Sequence, residues 1–105
     1  MINEILTASG IPFRHGRYLN PPAKTYAVCF DDVTMDGPDG LPIVEQHDCM
    51  VELYAPKLDP VAEAALEAEL ISAGLHWTKQ AAYWLQNVQR YQTIYEFTYY
   101  TKRRM

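Results

Sequence analysis

The chain has 105 residues, of which 49% are hydrophobic and 21% charged, a composition typical of one folded domain (residues 1–105) rather than of a disordered chain. Its net charge of −4 argues against a general nucleic-acid-binding surface, which needs basic residues that release counterions from phosphates. No apolar stretch approaches the roughly 18 residues of a membrane span, and an acidic residue stands where a signal peptide has basic ones. We therefore expect a protein that is made and kept in the cytoplasm unless an assembly carries it out.

The first third of the chain predicts a short helix, a connector and a strand. Residues 2–9 carry apolar side chains at spacings of three and four, which favours a short helix. Residues 11–24 contain two consecutive prolines and predict an irregular connector. Residues 25–33 combine β-branched and aromatic side chains, as strands do.

A long polar insert separates this strand from the next one. Residues 45–55 alternate apolar and polar side chains and predict a second strand. The connection between them, residues 34–44, is rich in Asp and Gly, and a loop of that size in so small a domain usually serves a function. A symmetric hairpin would turn near Asp39 and place Cys29 opposite Cys49 on the same face.

The two cysteines and the three histidines give no recognisable active site. We expect Cys29 and Cys49 to be buried free thiols, although a cross-strand disulfide or a metal site remains an alternative. His47 shares a strand face with Cys49, but an active Cys–His pair also needs an orienting group and oxyanion donors. The sequence therefore predicts no enzyme, no cofactor and no metal centre.

Residues 58–75 predict the main helix. Asp59 is a good N-cap, Pro60 suits the first turn, and Gly74 suits a left-handed C-cap. Two apolar faces run along this helix, whereas packing against one sheet needs only one. The first face consists of Ala62, Leu66, Leu70 and Ala73. The second consists of Val61, Ala64, Ala65, Ala68 and Ile71, and it either contacts a second partner or reflects the tolerance of helices for alanine.

Residues 76–100 predict two long strands joined by a turn near residues 86–88. On the second of these strands, alternate aromatic side chains form one face, which we expect to pack under the helix rather than to stack on nucleic-acid bases. The predicted fold is α+β and two-layered. An antiparallel four-stranded sheet with a long β-hairpin loop is packed by one main helix and a short N-terminal helix.

This order of elements, with VELYAPKLDPVAEAALEAEL at residues 51–70 and YQTIYEFTYY at residues 91–100, resembles a known family. The family is that of the small tail-terminator and tail-completion (head–tail joining) proteins of long-tailed bacteriophages and prophages. The resemblance covers nearly the whole chain in element order, and it transfers no catalytic residue.

The resemblance implies a structural protein. Members of this family assemble as a ring, typically a hexamer, at the head-proximal end of the tail tube. The ring stops growth of the tube and joins the tail to the head. The implied partners are further copies of the chain, the tail tube protein and a head–tail connector or neck protein. No specific nucleic acid and no membrane are implied, and the implied location is the virion after assembly in the cytoplasm of the host bacterium.

Two surfaces are the candidate sites. We expect the hairpin loop to project into the ring and to present negative charge to its channel, through Asp31, Asp32, Asp36 and Asp39. We expect the second helix face to contact a neighbouring subunit, through Val61, Ala64, Ala68 and Ile71. A head-completion (stopper) protein of the neck and a small α+β module that binds a ligand or a protein are the alternatives. An enzyme is the third alternative to the tail-terminator function.

Overall fold

The computed structural model describes residues 1–36 and 43–103. Along this part of the chain lie α1 (Ile2–Ser9), β1 (Phe13–His15), β2 (Tyr26–Asp36), β3 (Ile43–Ala55), α2 (Pro60–Ser72), β4 (Trp77–Lys79), β5 (Tyr83–Leu85) and β6 (Arg90–Arg103). Side chains of both helices pack against the same face of the sheet. The predicted α+β class is confirmed.

The sheet is larger than predicted. Within the described residues it has six strands in the order β1-β2-β3-β6-β4, with β5 also paired to β6. β1 runs parallel to β2, so the sheet is mixed rather than antiparallel throughout. Sequence patterning misses β1 because three residues are too few to show an alternation, and they lie in a connector that contains three prolines.

The first strand of the predicted C-terminal hairpin is divided into β4 and β5. Trp77 lies opposite Phe97, whereas Tyr83 lies opposite Gln92, so the register shifts by one residue across residues 80–82. An extra residue of this kind bends a strand and interrupts its pairing. The turn follows β5, as predicted.

The hairpin of β2 and β3 is longer than predicted, and its register differs. Residues 34–36 and 43–44 belong to the strands rather than to the loop. Cys29 lies opposite Val51 and not opposite Cys49. A turn displaced by one residue moves each pair by two residues and leaves every side chain on its face. Both cysteines are accordingly on one face, buried and free, as expected.

The core lies between the helices and this face of the sheet. Its completely buried side chains include Leu6 from α1, Leu66 and Leu70 from α2, and Val51 and Tyr95 from the sheet. The aromatic face of the last strand therefore does pack under the helices. It supplies the largest of these buried side chains.

α2 begins and ends at the capping residues that the sequence indicates, although its bounds are narrower than predicted. The side chain of Asp59 accepts a hydrogen bond of 3.1 Å from a backbone N–H of the first turn. Gly74 has a φ of 72°, which lets the N–H of Leu75 bond to the carbonyl of Leu70 at 3.1 Å. This left-handed closure satisfies carbonyls that the end of a helix leaves unpaired.

Candidate functional site

The hairpin and the end of β6 form a three-stranded extension of the sheet, here called the arm and defined as residues 31–36, 43–48 and 98–103. β1 reaches only to the level of Cys29, and β4 only to the level of Phe97. The structure accordingly measures 51 Å along its longest axis and 27 and 22 Å across it. The arm is where the sequence predicts a functional loop.

Two of the four acidic residues predicted for this loop, Asp31 and Asp32, do not lie together. Asp31 and Asp32 are adjacent on β2 and therefore lie on opposite faces of the sheet. Asp36 is the last residue of β2, and Asp39 lies outside the described residues.

Asp31 positions a histidine on the helix side of the arm. His47 Nδ1 lies 3.1 Å from both carboxylate oxygens of Asp31, and its Nε2 lies 3.2 Å from Thr101 Oγ1. The ring also stacks on Tyr99, with centroids 4.3 Å apart and an interplanar angle of 9°. Since the partners belong to β2 and β6, His47 connects all three strands of the arm.

The Asp31 carboxylate, the His47 imidazole and the Thr101 hydroxyl are linked in the same order as the acid, base and nucleophile of a catalytic triad. However, the Thr101 hydroxyl donates to Glu45 Oε1 at 3.3 Å, so its proton is directed away from His47. Acyl transfer would also need donors aimed at an oxyanion. We therefore assign a structural role to these three residues, whose hydrogen bonds hold the strands of the arm together.

The pair of His47 and Cys49 considered from the sequence is not formed. His47 hydrogen-bonds to Asp31 and Thr101 instead. Burial, followed by the charge of Asp31, raises the pKa of the Cys49 thiol to about 12. A protonated buried thiol is a poor nucleophile and a poor metal ligand. Within residues 1–36 and 43–103, no group of three or more His, Cys, Asp or Glu side chains could hold a metal ion.

The sheet face that points away from the helices is acidic. It contains a hollow of about 450 Å³ lined by Phe30, Asp32, Asp48, Cys49, Met50, Glu52 and Glu96. Asp32 lies directly opposite Asp48 on the neighbouring strand. None of the carboxylates in the hollow forms an ion pair with a described residue. A surface of this kind repels phosphate groups.

A second hollow, of about 320 Å³, lies on the same face at the end away from the arm, where the connector crosses the sheet. The rings of Tyr26 and Tyr54 stack there at 5.2 Å, and Tyr18 meets Tyr26 edge-on at 5.1 Å. Tyr54 donates to Glu52 at 2.9 Å. Burial and this bond raise the pKa of Tyr54 to about 12. Sequence patterning misses this hollow because the three tyrosines come from segments that are distant along the chain.

The two faces predicted for α2 differ in burial as expected. Leu66 and Leu70 are buried in the core, although Ala73 at the end of the same stripe is exposed. On the second face, here called the outer face, Val61 is 79% and Ile71 66% exposed. Ala64 and Ala68 between them are exposed as well. The outer face is therefore an apolar strip that no described residue covers.

Comparison with models of known protein families gives no match for this chain, and no curated protein matches it. Among the described residues, neither helix is long and apolar enough to span a membrane.

Proposed function

We propose that this chain is a tail-terminator or tail-completion subunit of a long-tailed bacteriophage or prophage. Several copies, in the family typically six, form a ring at the head-proximal end of the tail tube. The ring stops growth of the tube and provides the surface to which the head connector binds. The chain acts in the virion, after assembly in the host bacterial cytoplasm.

The observation that carries the proposal is the outer face of α2. Val61 and Ile71 leave most of their apolar surface in water although the helix buries its other side completely at Leu66 and Leu70. Contiguous exposed apolar surface of this kind is typical of protein–protein contacts. A subunit that must bind a neighbour and the end of a tube needs such a surface, whereas on an isolated domain the same surface favours aggregation.

The acidic face of the sheet supports the same proposal. In the ring this face, with Asp32, Asp48 and Glu96, lines the channel. Negative charge lets DNA pass without the many phosphate contacts that a basic channel would make. In this proposal the acidic lining of the channel comes mainly from the sheet face rather than from the hairpin loop.

A neck protein that completes the head is the alternative within the same class, and it uses the same outer face. A small binding module is the alternative from a different class. The tyrosine-lined hollow between the connector and the sheet favours that module, because aromatic clefts with one carboxylate are common ligand sites.

Purified protein added to tail tubes from a strain lacking this gene provides the test. We expect extra density at one end of each tube in electron micrographs, and no further elongation when tube protein is supplied. The double variant Val61→Asp/Ile71→Asp should fold and fail to form this density. Gln86→Asp/Gln89→Asp, which adds the same charge at exposed positions in the β5–β6 turn, serves as the matched control. Tubes that bind no protein at either end would refute the proposal.

A further inference from the structure

A groove of about 420 Å³, here called the helix groove, lies between α1 and α2 on the surface of the helical layer. It is lined by Met1, Glu4, Ile5, Ala8, Glu69, Ser72 and Ala73. Ile5 lies deepest, since it is only 4% exposed. The helix groove is therefore mainly apolar, with a glutamate on either helix.

The helix groove borders the outer face of α2. Ser72 in the groove follows Ala68 of the outer face by four residues, so the two side chains are neighbours along the helix. Both residues are exposed. The outer face and the helix groove thus form one continuous surface, and a neighbouring copy that binds the first can also fill the second.

The charged side chains of the two helices are all acidic. They are Glu4, Glu63, Glu67 and Glu69, and neither helix contains Lys or Arg. Three of these glutamates are already paired, with Lys79 or with the amino group of Met1. Glu69, in the wall of the helix groove, forms no ion pair with a described residue. A segment that fills this groove should therefore be apolar and carry basic residues beside its apolar side chain.

The connector between β1 and β2 has this character. Residues 16–24 read GRYLNPPAK and contain Arg17 and Lys24 but no acidic residue. Leu19 lies between these two basic residues and is 77% exposed. Arg17 and Lys24 are exposed as well. The favoured occupant of the helix groove is therefore the connector of a second copy of this chain.

The connector is held in place on both sides of Leu19. Before it, the ring of Tyr18 packs edge-on against Tyr26, with centroids 5.1 Å apart. After it, the carbonyl of Ala23 accepts a hydrogen bond of 3.2 Å from Arg90. A leucine held outward on a fixed segment loses little conformational freedom when it enters a groove, which favours binding.

We propose that the connector of one copy docks into the helix groove of the next copy, with Leu19 in the groove and Arg17 beside Glu69. The groove lies on the helix side of the sheet, whereas the connector crosses the opposite side. The contact is therefore heterologous, and each copy binds one neighbour through its groove and another through its connector, as a ring requires. The inference rests on the ring of the proposed function and identifies the surface that meets the outer face of α2.

Charge exchange tests the docking by its effect on self-association of the purified full chain, measured by sedimentation velocity. Arg17→Glu and Glu69→Arg should each associate about fivefold more weakly than the wild type, because like charges then meet at the contact. An equimolar mixture of the two variants should associate as the wild type does. In an alternating assembly of the two, every contact joins unlike charges.

A neutral substitution tests the apolar part of the contact. Leu19→Ser should weaken association about tenfold or more, because the side chain loses the burial that the helix groove provides. Val88→Ser, at a 41% exposed position in the β5–β6 turn, is the matched control for this loss of apolar surface. Lys102→Glu, at an exposed position on the arm, is the matched control for the charge change of Arg17→Glu. Both controls should associate like the wild type, and circular dichroism verifies that every variant is folded.

Three results would each overturn the inference. They are a wild type that stays monomeric at every concentration reached, single variants that associate normally, and a mixture that associates no better than either variant alone. The outcome is separate from that of the proposed function, which is scored by density at the ends of tail tubes. Docking of the connector could fail while the protein still caps tubes, and it could succeed in a ring that has no role in tails.

Discussion

The hydroxyl of Tyr95 in β6 donates a 2.7 Å hydrogen bond to a carboxylate oxygen of Glu67 in α2. Tyr95 is completely buried, and the same carboxylate also accepts a bond of 2.7 Å from Lys79 Nζ. Burial tends to raise the pKa of Glu67, but the bonds from Lys79 and Tyr95 outweigh it, so the net pKa is lowered. The charged carboxylate therefore fixes the main helix to the sheet at the centre of the molecule.

Removing the Tyr95 hydroxyl should destabilise the fold. We expect Tyr95→Phe to lower the free energy of unfolding by about 1.5–3 kcal/mol, because a hydrogen bond to a charged group is lost without a change in ring packing. Urea denaturation followed by circular dichroism measures the change. Tyr100→Phe, which removes an exposed hydroxyl from the same strand, should leave stability unchanged. Equal effects of the two substitutions would contradict the role assigned to this bond.

Replacing the N-cap of α2 should weaken the helix and change the response to acid. Hydrogen bonds from Thr25 and from the backbone of Ala62 lower the pKa of Asp59 below its usual range. A lowered pKa means that this stabilisation is complete above about pH 4 and is lost as pH falls through the folded-state pKa. Asp59→Ala should cost about 1 kcal/mol at neutral pH. The difference in stability from the wild type should shrink as pH is lowered from 5 to 2, and a constant difference would be the contrary result.

The two thiols should be unreactive in the folded protein. Burial, followed by the charge of Asp31, raises the pKa of Cys29 to about 11 and that of Cys49 to about 12. At pH 8 nearly all of both groups is therefore in the thiol form, and both side chains lack access to reagent. Iodoacetamide should label the native chain far more slowly than the urea-unfolded chain, as mass spectrometry would show. Rapid native labelling of Cys49 would instead support a reactive site in the arm.

The two faces of α2 should respond oppositely to substitution. Leu66→Ala removes a completely buried side chain and should cost about 2–5 kcal/mol of stability. Ile71→Asp, on the outer face, should cost the isolated subunit no more than about 1 kcal/mol, because a negative charge in the last turn of α2 opposes the helix dipole. Ring formation should nevertheless be lost in the Ile71 variant. An Ile71 variant that still forms rings would remove the outer face from the interface.

Local patterns in the sequence predict much of this fold. Capping residues mark α2, because Asp, Pro and Gly act through their own backbone geometry. Alternation predicts the inward faces of β3 and β6. Exposure of Val61 and Ile71 also follows from the pattern, since one helix cannot place two apolar faces on the same sheet.

Features that depend on distant pairing are not predictable in the same way. β1 is a strand because Phe13–His15 lies beside β2, not because of its own composition. The register of the hairpin depends on the residue at which the connection turns. Because the predicted turn position differs by one residue, the sequence pairs Cys29 with Cys49, whereas the structure pairs Cys29 with Val51. The relation among Asp31, His47 and Thr101 depends on the pairing of three strands, so it is not visible in the sequence even though Asp31 lies within the strand predicted over residues 25–33.

Electron microscopy of lysates from the phage or prophage strain with this gene deleted tests the central claim most directly. A subunit that caps the tail tube predicts overlong tails without heads, and normal tails when the wild-type gene is supplied in trans. Tails of normal length beside DNA-filled heads would contradict the capping role and indicate a joining protein of the neck. Normal infectious particles would contradict any role in the tail.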